Sequence, residues 1–455
     1  MNQSSTIAAV STPVAAGGLG VIRISGADAI SIAAAVFRPV SEKNVTTMKG
    51  YTAAFGKVYD GDTPIDEAVL LIFRAPHSYT GEDVAELSCH GGVYLVDRAL
   101  RAVIKAGAQP AAPGEFTKRA FLNGKLDLTE AEAVMNLISA QGEQGAAAAL
   151  TALEGALSRK LREAAQVLIA DAAYMAAWVD YPDDEIEELS QERLLADYRG
   201  VAETLENLLN NYEGGRALTQ GVDTVIAGKP NVGKSTLMNC LSGFDRSIVT
   251  AAAGTTRDVV EDTVRLGKMV LRLADTAGIR RADNEAEQIG VEFALNRIDR
   301  AELVLAVFDG SQPLSEEDRG VIARCRGKRA IALVNKCDLP QRLERDALDG
   351  FFAVIPISAK NADGIQALSE AVLAVLGSDS VDTSAAMLAN ERQRAGCELA
   401  LSCVKEAVDA LQSGMTLDAV NVSTDAAVDA LLTLTGERAG DAVIHEIFSK
   451  FCVGK

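Results

Sequence analysis

Residues 228–236 read Gly228-Lys229-Pro230-Asn231-Val232-Gly233-Lys234-Ser235-Thr236, which places two glycines and a Lys-Ser pair at GxxxxGK[ST] spacing. The apolar run 222–227 precedes this stretch, and Leu237, Met238 and Leu241 follow it at helical spacing. A buried strand therefore runs through a tight loop into a helix. That unit belongs to a parallel sheet covered by helices, so the middle of the chain is committed to an α/β fold. Gly228 and Gly233 let the backbone curl until its N–H groups face a phosphate. Lys234 reaches the β- and γ-phosphates, the Ser235 hydroxyl is a ligand for Mg²⁺, and the positive end of the following helix adds attraction. Asn231, Val232 and Thr236 complete the loop, and the whole pattern implies a nucleotide hydrolase.

The loop alone does not separate ATP from GTP. Two later segments do: Asn335-Lys336-Cys337-Asp338 after the strand-like run 330–334, and Ser358-Ala359-Lys360 after 352–357. The Asp338 carboxylate can accept two N–H bonds from guanine. Adenine offers no such donor pair, and a buried carboxylate left unpaired costs about 1–3 kcal/mol or more. Asn335 is expected at the other edge of the base and the Lys336 stem on its face. Asp275-Thr276-Ala277-Gly278 follows the run 271–274. Asp275 is placed to hold the metal through water, and Gly278 lets its backbone approach the γ-phosphate. One Asn-Lys-x-Asp is usually just a turn. Four motifs in order at strand ends read as GTP with Mg²⁺. Small GTPases often carry a Gln directly after the Asp-Thr-Ala-Gly to orient the attacking water. Ile279 stands there and cannot hydrogen-bond, so another group must act; Glu285 and Glu287 are the local candidates.

At 455 residues the chain suggests about three domains. Its net charge of −19 argues against a general nucleic-acid surface, so RNA contact must be local or assisted by a partner. Lys118, Arg119 and Lys125 form the densest basic group near apolar residues, which reads first as a solvated face. No run reaches the roughly 18 uncharged apolar residues of a membrane span, and no signal peptide is visible. Seven scattered cysteines without a CxxC pair, and three separated histidines, fit a reducing cytoplasm rather than a disulfide frame or a metal cluster.

Residues 1–120 mix strand-like runs (21–24, 68–73, 84–88) with a helical stretch at 93–106 and turns at Gly17-Gly18, Gly61-Asp62 and Gly91-Gly92, a compact α/β domain. Thr129 followed by Glu132 reads as a capping box opening a helix. Leu150, Leu153, Leu157, Leu161, Ala164 and Leu168 then form one apolar stripe. Pro182 marks a break before an acidic helix start, and Gly214-Gly215 is read as the end of that helical stretch. The α/β loop domain occupies 217–378, after which helical patterning returns. The economical arrangement is one all-helical domain made of 121–216 and 379–455, interrupted by the inserted domain; two separate helical satellites are the alternative.

Three further signatures fall outside the GTP motifs. They are Gly20-Val21-Ile22-Arg23-Ile24-Ser25-Gly26 with Ser78-Tyr79-Thr80-Gly81-Glu82-Asp83, the junction 113–125, and the final Phe451-Cys452-Val453-Gly454-Lys455. With them the chain resembles, end to end, the bacterial tRNA modification GTPases of the MnmE (TrmE) family. The resemblance implies a homodimer built through N-terminal domains that each hold a formyl-tetrahydrofolate, with Arg23, Glu86, Lys125 and Lys455 as the matching pocket residues. It implies a K⁺ ion in the GTPase site, held by Asn231, Thr250, Ala252 and Thr255 within the loop Thr250-Ala251-Ala252-Ala253-Gly254-Thr255. Thr256 matches the switch threonine on Mg²⁺, and the water-orienting acid maps to Glu287. The implied reaction adds a carboxymethylaminomethyl or aminomethyl group at C5 of the wobble uridine of certain tRNAs. It is shared with a FAD-dependent partner, MnmG (GidA), in a heterotetramer or larger complex. Cys452 matches a near-terminal cysteine of the family and reads either as a reactive thiol or as a small buried residue. Val453 stands where Ile is usual. A ribosome-assembly GTPase acting as an RNA-binding switch also accounts for the GTP motifs, but not for these three signatures; a membrane-surface GTPase would need a lipid-binding stretch.

Overall fold

Alternation sets the first sheet. In Thr52–Asp60, Ala54, Gly56 and Val58 are buried while Ala53, Phe55 and Lys57 are exposed, the period of a strand with one covered face. The computed structural model describes residues 5–180, 190–244, 262–267, 269–273, 298–377 and 382–455. They fall into two units, Met1–Met135 with Leu432–Lys455, and Asn136–Leu431.

In the first unit, β1 (Ile7–Val10), β2 (Gly17–Ser25), β3 (Phe37–Pro39), β4 (Thr52–Asp60), β5 (Thr63–Phe73), β6 (Val84–Gly91) and β7 (Gln109–Pro110) form a sheet of order β3-β4-β5-β6-β2-β1-β7. Helices α1 (Ala29–Val36) and α2 (Val93–Lys105) cover one face. Ile30, Ala33, Ala99 and Val103 pack there on Ile22, Ile24, Leu70, Ile72 and Leu87. The expected turn at Gly17-Gly18 lies instead inside β2, at a bulge against β6. Helices α3 (Glu115–Leu122), α4 (Leu128–Ser139) and Asp441–Ser449 follow, and Leu128 and Ala131 pack with Ile444, Ile447, Phe448 and Phe451.

The capping box of α4 sits two residues earlier than expected. Asp127 Oδ1 accepts the N–H of Glu130 at 2.9 Å, and Glu130 Oε2 accepts the N–H of Asp127 at 2.8 Å. Aspartate caps as well as threonine does, and this box has the same three-residue spacing. Arg119 is also not on a solvated face. It is buried and donates to Glu82, Glu115 and the carbonyl of Ser5.

In the second unit, β8 (Val222–Ala227), β9 (Asp262–Leu266), β10 (Met269–Leu273), β11 (Leu303–Asp309), β12 (Ala330–Asn335) and β13 (Ala353–Pro356) give the order β13-β12-β11-β8-β10-β9. Every pair is parallel except β10–β9. Alternate residues of the strands serve two cores. Ile226, Leu271, Leu305 and Leu333 meet Leu237, Leu241, Leu368 and Val372 on one face; Val225, Val304, Ala306 and Val334 meet Val321 and Cys325 on the other. The sheet is thus covered by helices on both sides. From β8 the chain builds first β9 and β10 on one side and then β11 to β13 on the other, which makes the carboxyl end of β8 the switch point where such sheets bind ligands.

The remaining helices are α5 (Glu143–Leu153), α6 (Ala156–Asp180), α7 (Gln191–Asn210), α8 (Tyr212–Gln220), Glu391–Gln412 and Leu417–Thr435. The expected single stripe breaks at Glu154-Gly155: Leu150 is exposed on α5, whereas Leu157, Leu161, Ala164 and Leu168 are buried on α6. Gly214 and Gly215 do not end a helix either. They lie buried inside α8, and Gly215 faces Met387 so closely that a Cβ there would sit 3.3 Å from its sulfur. Helix α7 packs on Glu391–Gln412, Gln191 donates to the carbonyl of Leu411 at 2.6 Å, and Tyr198 and Thr424 share a 2.8 Å hydroxyl bond. Pro182 lies outside the described residues.

Candidate functional sites

Strand β8 ends at Ala227 and α9 (Lys234–Phe244) begins seven residues later, so the loop spans the switch point. Val232 is buried in the sheet core and anchors the loop from below. Asn231 (φ 64°) and Gly233 (φ 100°) turn the backbone left-handed at alternate positions, the geometry that points successive N–H groups at an anion. Gly233 is required for a second reason: a Cβ there would strike the Asn335 side-chain amide. Lys234 Nζ donates to the carbonyls of Gly228 (2.6 Å) and Lys229 (2.8 Å). Burial pulls its pKa below the ordinary lysine range, with Glu317 opposing, so the loop holds a partly desolvated cation. Ser235 and Thr236 are exposed in the first turn of α9. A hydroxyl oxygen beside such a loop suits a hard cation such as Mg²⁺, and Ser235 is the residue that would hold it.

The segments 335–338 and 358–360 are tied into this loop. Asn335, 3% exposed, donates from Nδ2 to the carbonyl of Val232 at 2.8 Å and accepts the N–H of Ala359 at Oδ1 at 3.0 Å. It therefore joins the phosphate loop to the Ser358-Ala359-Lys360 loop through its own amide. Lys336, in left-handed conformation (φ 64°), donates to the carbonyl of Asn231 at 3.2 Å and to Asp309 Oδ2 at 2.6 Å. Asp338 is exposed and accepts the Ser358 hydroxyl at 2.8 Å, while Lys360 is exposed beyond it. Asp309 escapes a motif search. Burial would raise its carboxyl, but the bonds from Lys336 and Ser311 outweigh that and hold it below the usual carboxylate range. Its one sequence signal is that it is the polar residue that ends the apolar strand β11. Thr250, Ala251, Ala252, Ala253, Gly254, Thr255, Thr256, Asp275, Thr276, Ala277, Gly278, Ile279, Glu285 and Glu287 lie outside the described residues.

A second polar site lies in the first unit. Arg23 on β2 and Glu86 on β6 are direct cross-strand partners, and Arg23 Nε donates to Glu86 Oε1 at 2.8 Å. The guanidinium stands over the rings of Tyr79 (5.3 Å) and Phe116 (5.7 Å). Lys455 joins them. Burial first, then Arg23, pulls its ammonium below the usual lysine pKa, with Glu86 and Cys452 opposing. A strap fixes it there: the Gly114 N–H donates to the carbonyl of Cys452 at 3.3 Å, Ser11 Oγ to that of Gly454 at 3.1 Å, and the Phe116 N–H to that of Lys455 at 3.2 Å. Gly454 (φ 96°) lies so close to the Val10 carbonyl that no side chain fits. Lys125 is exposed and donates to the carbonyl of Pro76 at 3.3 Å, on the loop that also carries Tyr79. Cys452 is exposed, not a buried apolar filler. Two cations, one carboxylate and two aromatic faces fit a planar ligand with its own amide donors and carboxylates, which is the chemistry of a reduced folate. Tyr79 and Phe116 lie within the stretches that carry the resemblance, but no spacing rule marks them as ring neighbours of Arg23.

Among the described residues no helix is long and apolar enough to cross a membrane. A family model described as "GTP-binding protein TrmE N-terminus" matches residues 6–125, and one described as "MnmE helical domain" matches residues 128–452. The chain is 40% identical over 462 residues to a tRNA modification GTPase MnmE of Acetivibrio thermocellus, covering 100% of both chains. It is 41% identical over 456 residues to that of Symbiobacterium thermophilum and 39% over 462 residues to that of Heliobacterium modesticaldum, each with 99% of both chains covered. Both halves of the molecule and its full length thus point the same way: the chain belongs to the MnmE (TrmE) family of tRNA modification GTPases.

Proposed function

We propose that the chain is a K⁺-dependent GTP hydrolase that works with a FAD-dependent partner of the MnmG (GidA) type. In this reading it adds a carboxymethylaminomethyl or aminomethyl group at C5 of the wobble uridine of certain tRNAs. The observation that carries the GTPase reading is the Asn335 amide, which locks the phosphate loop and the two base-reading loops into one bonded unit. The backbone around Asn231 and Gly233 binds the phosphates, Lys234 neutralises them, and Asp338 accepts the guanine N–H pair. Ser235 and Thr256 would hold Mg²⁺, which supplies charge to the β- and γ-oxygens. Asn231, exposed on the loop, would hold K⁺ with Thr250, Ala252 and Thr255, and that ion supplies the positive charge an arginine finger gives elsewhere, worth roughly 10³–10⁵ in rate. Glu287 orients the attacking water in place of the missing Gln. Arg23, Lys455 and Lys125 would hold folate carboxylates and Glu86 the pterin N–H groups; the folate supplies the one-carbon unit. The protein acts as a homodimer in a heterotetramer or larger complex in the cytoplasm.

Three measurements test this. Turnover is expected to be many-fold faster in KCl than in NaCl, and equal rates reject the K⁺ assignment. Glu287→Ala is expected to keep GTP affinity and lose most turnover. Mass analysis of tRNA nucleosides from a deletion strain is expected to show the wobble modification missing, and an unchanged wobble uridine rejects the main function.

A further inference from the structure

Lys229 occupies a variable position of the GxxxxGK[ST] pattern, yet its side chain is firmly held. Its ammonium donates to Asp318 Oδ2 at 2.7 Å and to Ser315 Oγ at 3.3 Å, and its own carbonyl accepts from Lys234 Nζ at 2.8 Å. Asp318 is 2% exposed. As the third residue of the helix Glu316–Cys325 it forms a capping box, its Oδ2 accepting the N–H of Ser315 at 2.9 Å and the hydroxyl at 2.8 Å. Its Oδ1 is buried without a partner among the described residues. A capping box does not need a lysine brought from 89 residues away. A buried carboxylate with one oxygen unpaired does need a cation beside it, and Lys229 is that cation. The helix also acts on the loop at longer range, since the neighbouring Glu317 favours the charged form of Lys234.

We infer that Lys229 and Asp318 form a positioning latch, which fixes the loop backbone at residue 229 and through its carbonyl the place of Lys234. Nucleotide affinity then depends on two residues outside the loop's fixed pattern. This rests on the reading of 228–236 as the phosphate loop of a GTPase. Lys229→Met leaves the Asp318 charge buried and frees the loop. Asp318→Asn keeps an acceptor for Ser315 but loses the charge that holds Lys229. Lys229→Arg keeps the pair.

The test uses the full-length chain, with fluorescent mant-GDP and mant-GTP titrations, kcat and KM for GTP, and thermal melting. Lys229→Met and Asp318→Asn are each expected to weaken both nucleotides by about 10–100-fold, the cost of misplacing a binding group by about an ångström. KM should rise more than kcat falls, and Lys229→Arg should recover most of the affinity. The double variant Lys229→Met/Asp318→Leu, with an apolar contact in place of the pair, is expected to regain the melting temperature but not the affinity. Affinity that returns with melting makes the pair a fold staple and overturns the inference, as does unchanged affinity in both single variants. An unaltered chain that binds neither nucleotide refutes the GTPase reading instead.

Discussion

Replacing Asn335 by alanine asks whether base recognition and phosphate recognition are one device. The side chain is 3% exposed, and each end of its amide meets a buried backbone group, the carbonyl of Val232 at 2.8 Å and the N–H of Ala359 at 3.0 Å. Truncation orphans both. An unsatisfied buried polar group costs about 1–3 kcal/mol, so the pair costs about 2–6 kcal/mol, reduced where water reaches the vacated space. Part of that loss appears as a lower melting temperature. The part that separates the loops appears as lost affinity, and about 2 kcal/mol there is roughly 30-fold. The assay is a mant-GDP titration of Asn335→Ala beside Asn335→Asp. The aspartate keeps an acceptor for Ala359 but sets an oxygen against the Val232 carbonyl, so it is expected to bind no better than the alanine variant. If Asn335→Ala binds guanine nucleotide within a factor of about three of the unaltered chain, the loops are held by other means and the reasoning fails.

Gly233→Ala combines a left-handed φ with a collision against the Asn335 amide, so it is expected to lose nucleotide binding while circular dichroism stays native; retained binding would show that the loop gives way. Arg23→Ala removes the hydrogen bond to Glu86 and uncovers Tyr79 and Phe116, and calorimetry with 5-formyl-tetrahydrofolate is expected to show at least about tenfold weaker binding. Unchanged binding would remove Arg23 from the pocket. Burial first, then Asp197, pushes the Asp171 carboxyl up to about 6, with Arg193 opposing. The folded state therefore holds this proton more tightly than the unfolded chain, where the ordinary value is 3.8. The benefit is complete below that value and is lost as pH rises through 6. The stability of the unit that contains α6 and α7 is thus expected to fall between pH 5 and pH 7.5 by at most about 1.4 kcal/mol, the part of the effect not already lost by pH 5, and Asp171→Asn should flatten the profile. A flat profile in the unaltered chain would contradict the assignment.

The strands of the second sheet could be read because their chemistry is local. An apolar run that stops at a glycine or an Asn-Lys pair defines its own end, and 222–227 corresponds to β8 residue for residue. What stayed hidden depends on partners far away in sequence. Asp309 looks like a turn residue until β11 and β12 lie side by side and bring Lys336 onto it. Asp318 looks like a helix cap until Lys229 arrives from the loop after β8. Arg23 and Glu86 carry no spacing signal of their own, and only the β2–β6 register makes them neighbours. Apolar periodicity also runs on past true helix ends. The leucine spacing from 150 to 168 continues through Gly155, where the backbone turns left-handed (φ 79°) and a new helix starts on a different face.

The strap at 451–455 bears on how the protein is made. The sheet β1–β7 and α3 are complete in the nascent chain by residue 122, but the side chains that cover Leu128 and Ala131, and the lysine beside Arg23, belong to residues 444–455. At about 5–20 residues per second the ribosome takes roughly 15–70 s to bridge that interval. Until then Leu128 and Ala131 have no cover from residues 444–451, and Arg23 has no lysine beside it. The cluster of Arg23, Glu86 and Lys455 therefore forms only once residue 455 has been added.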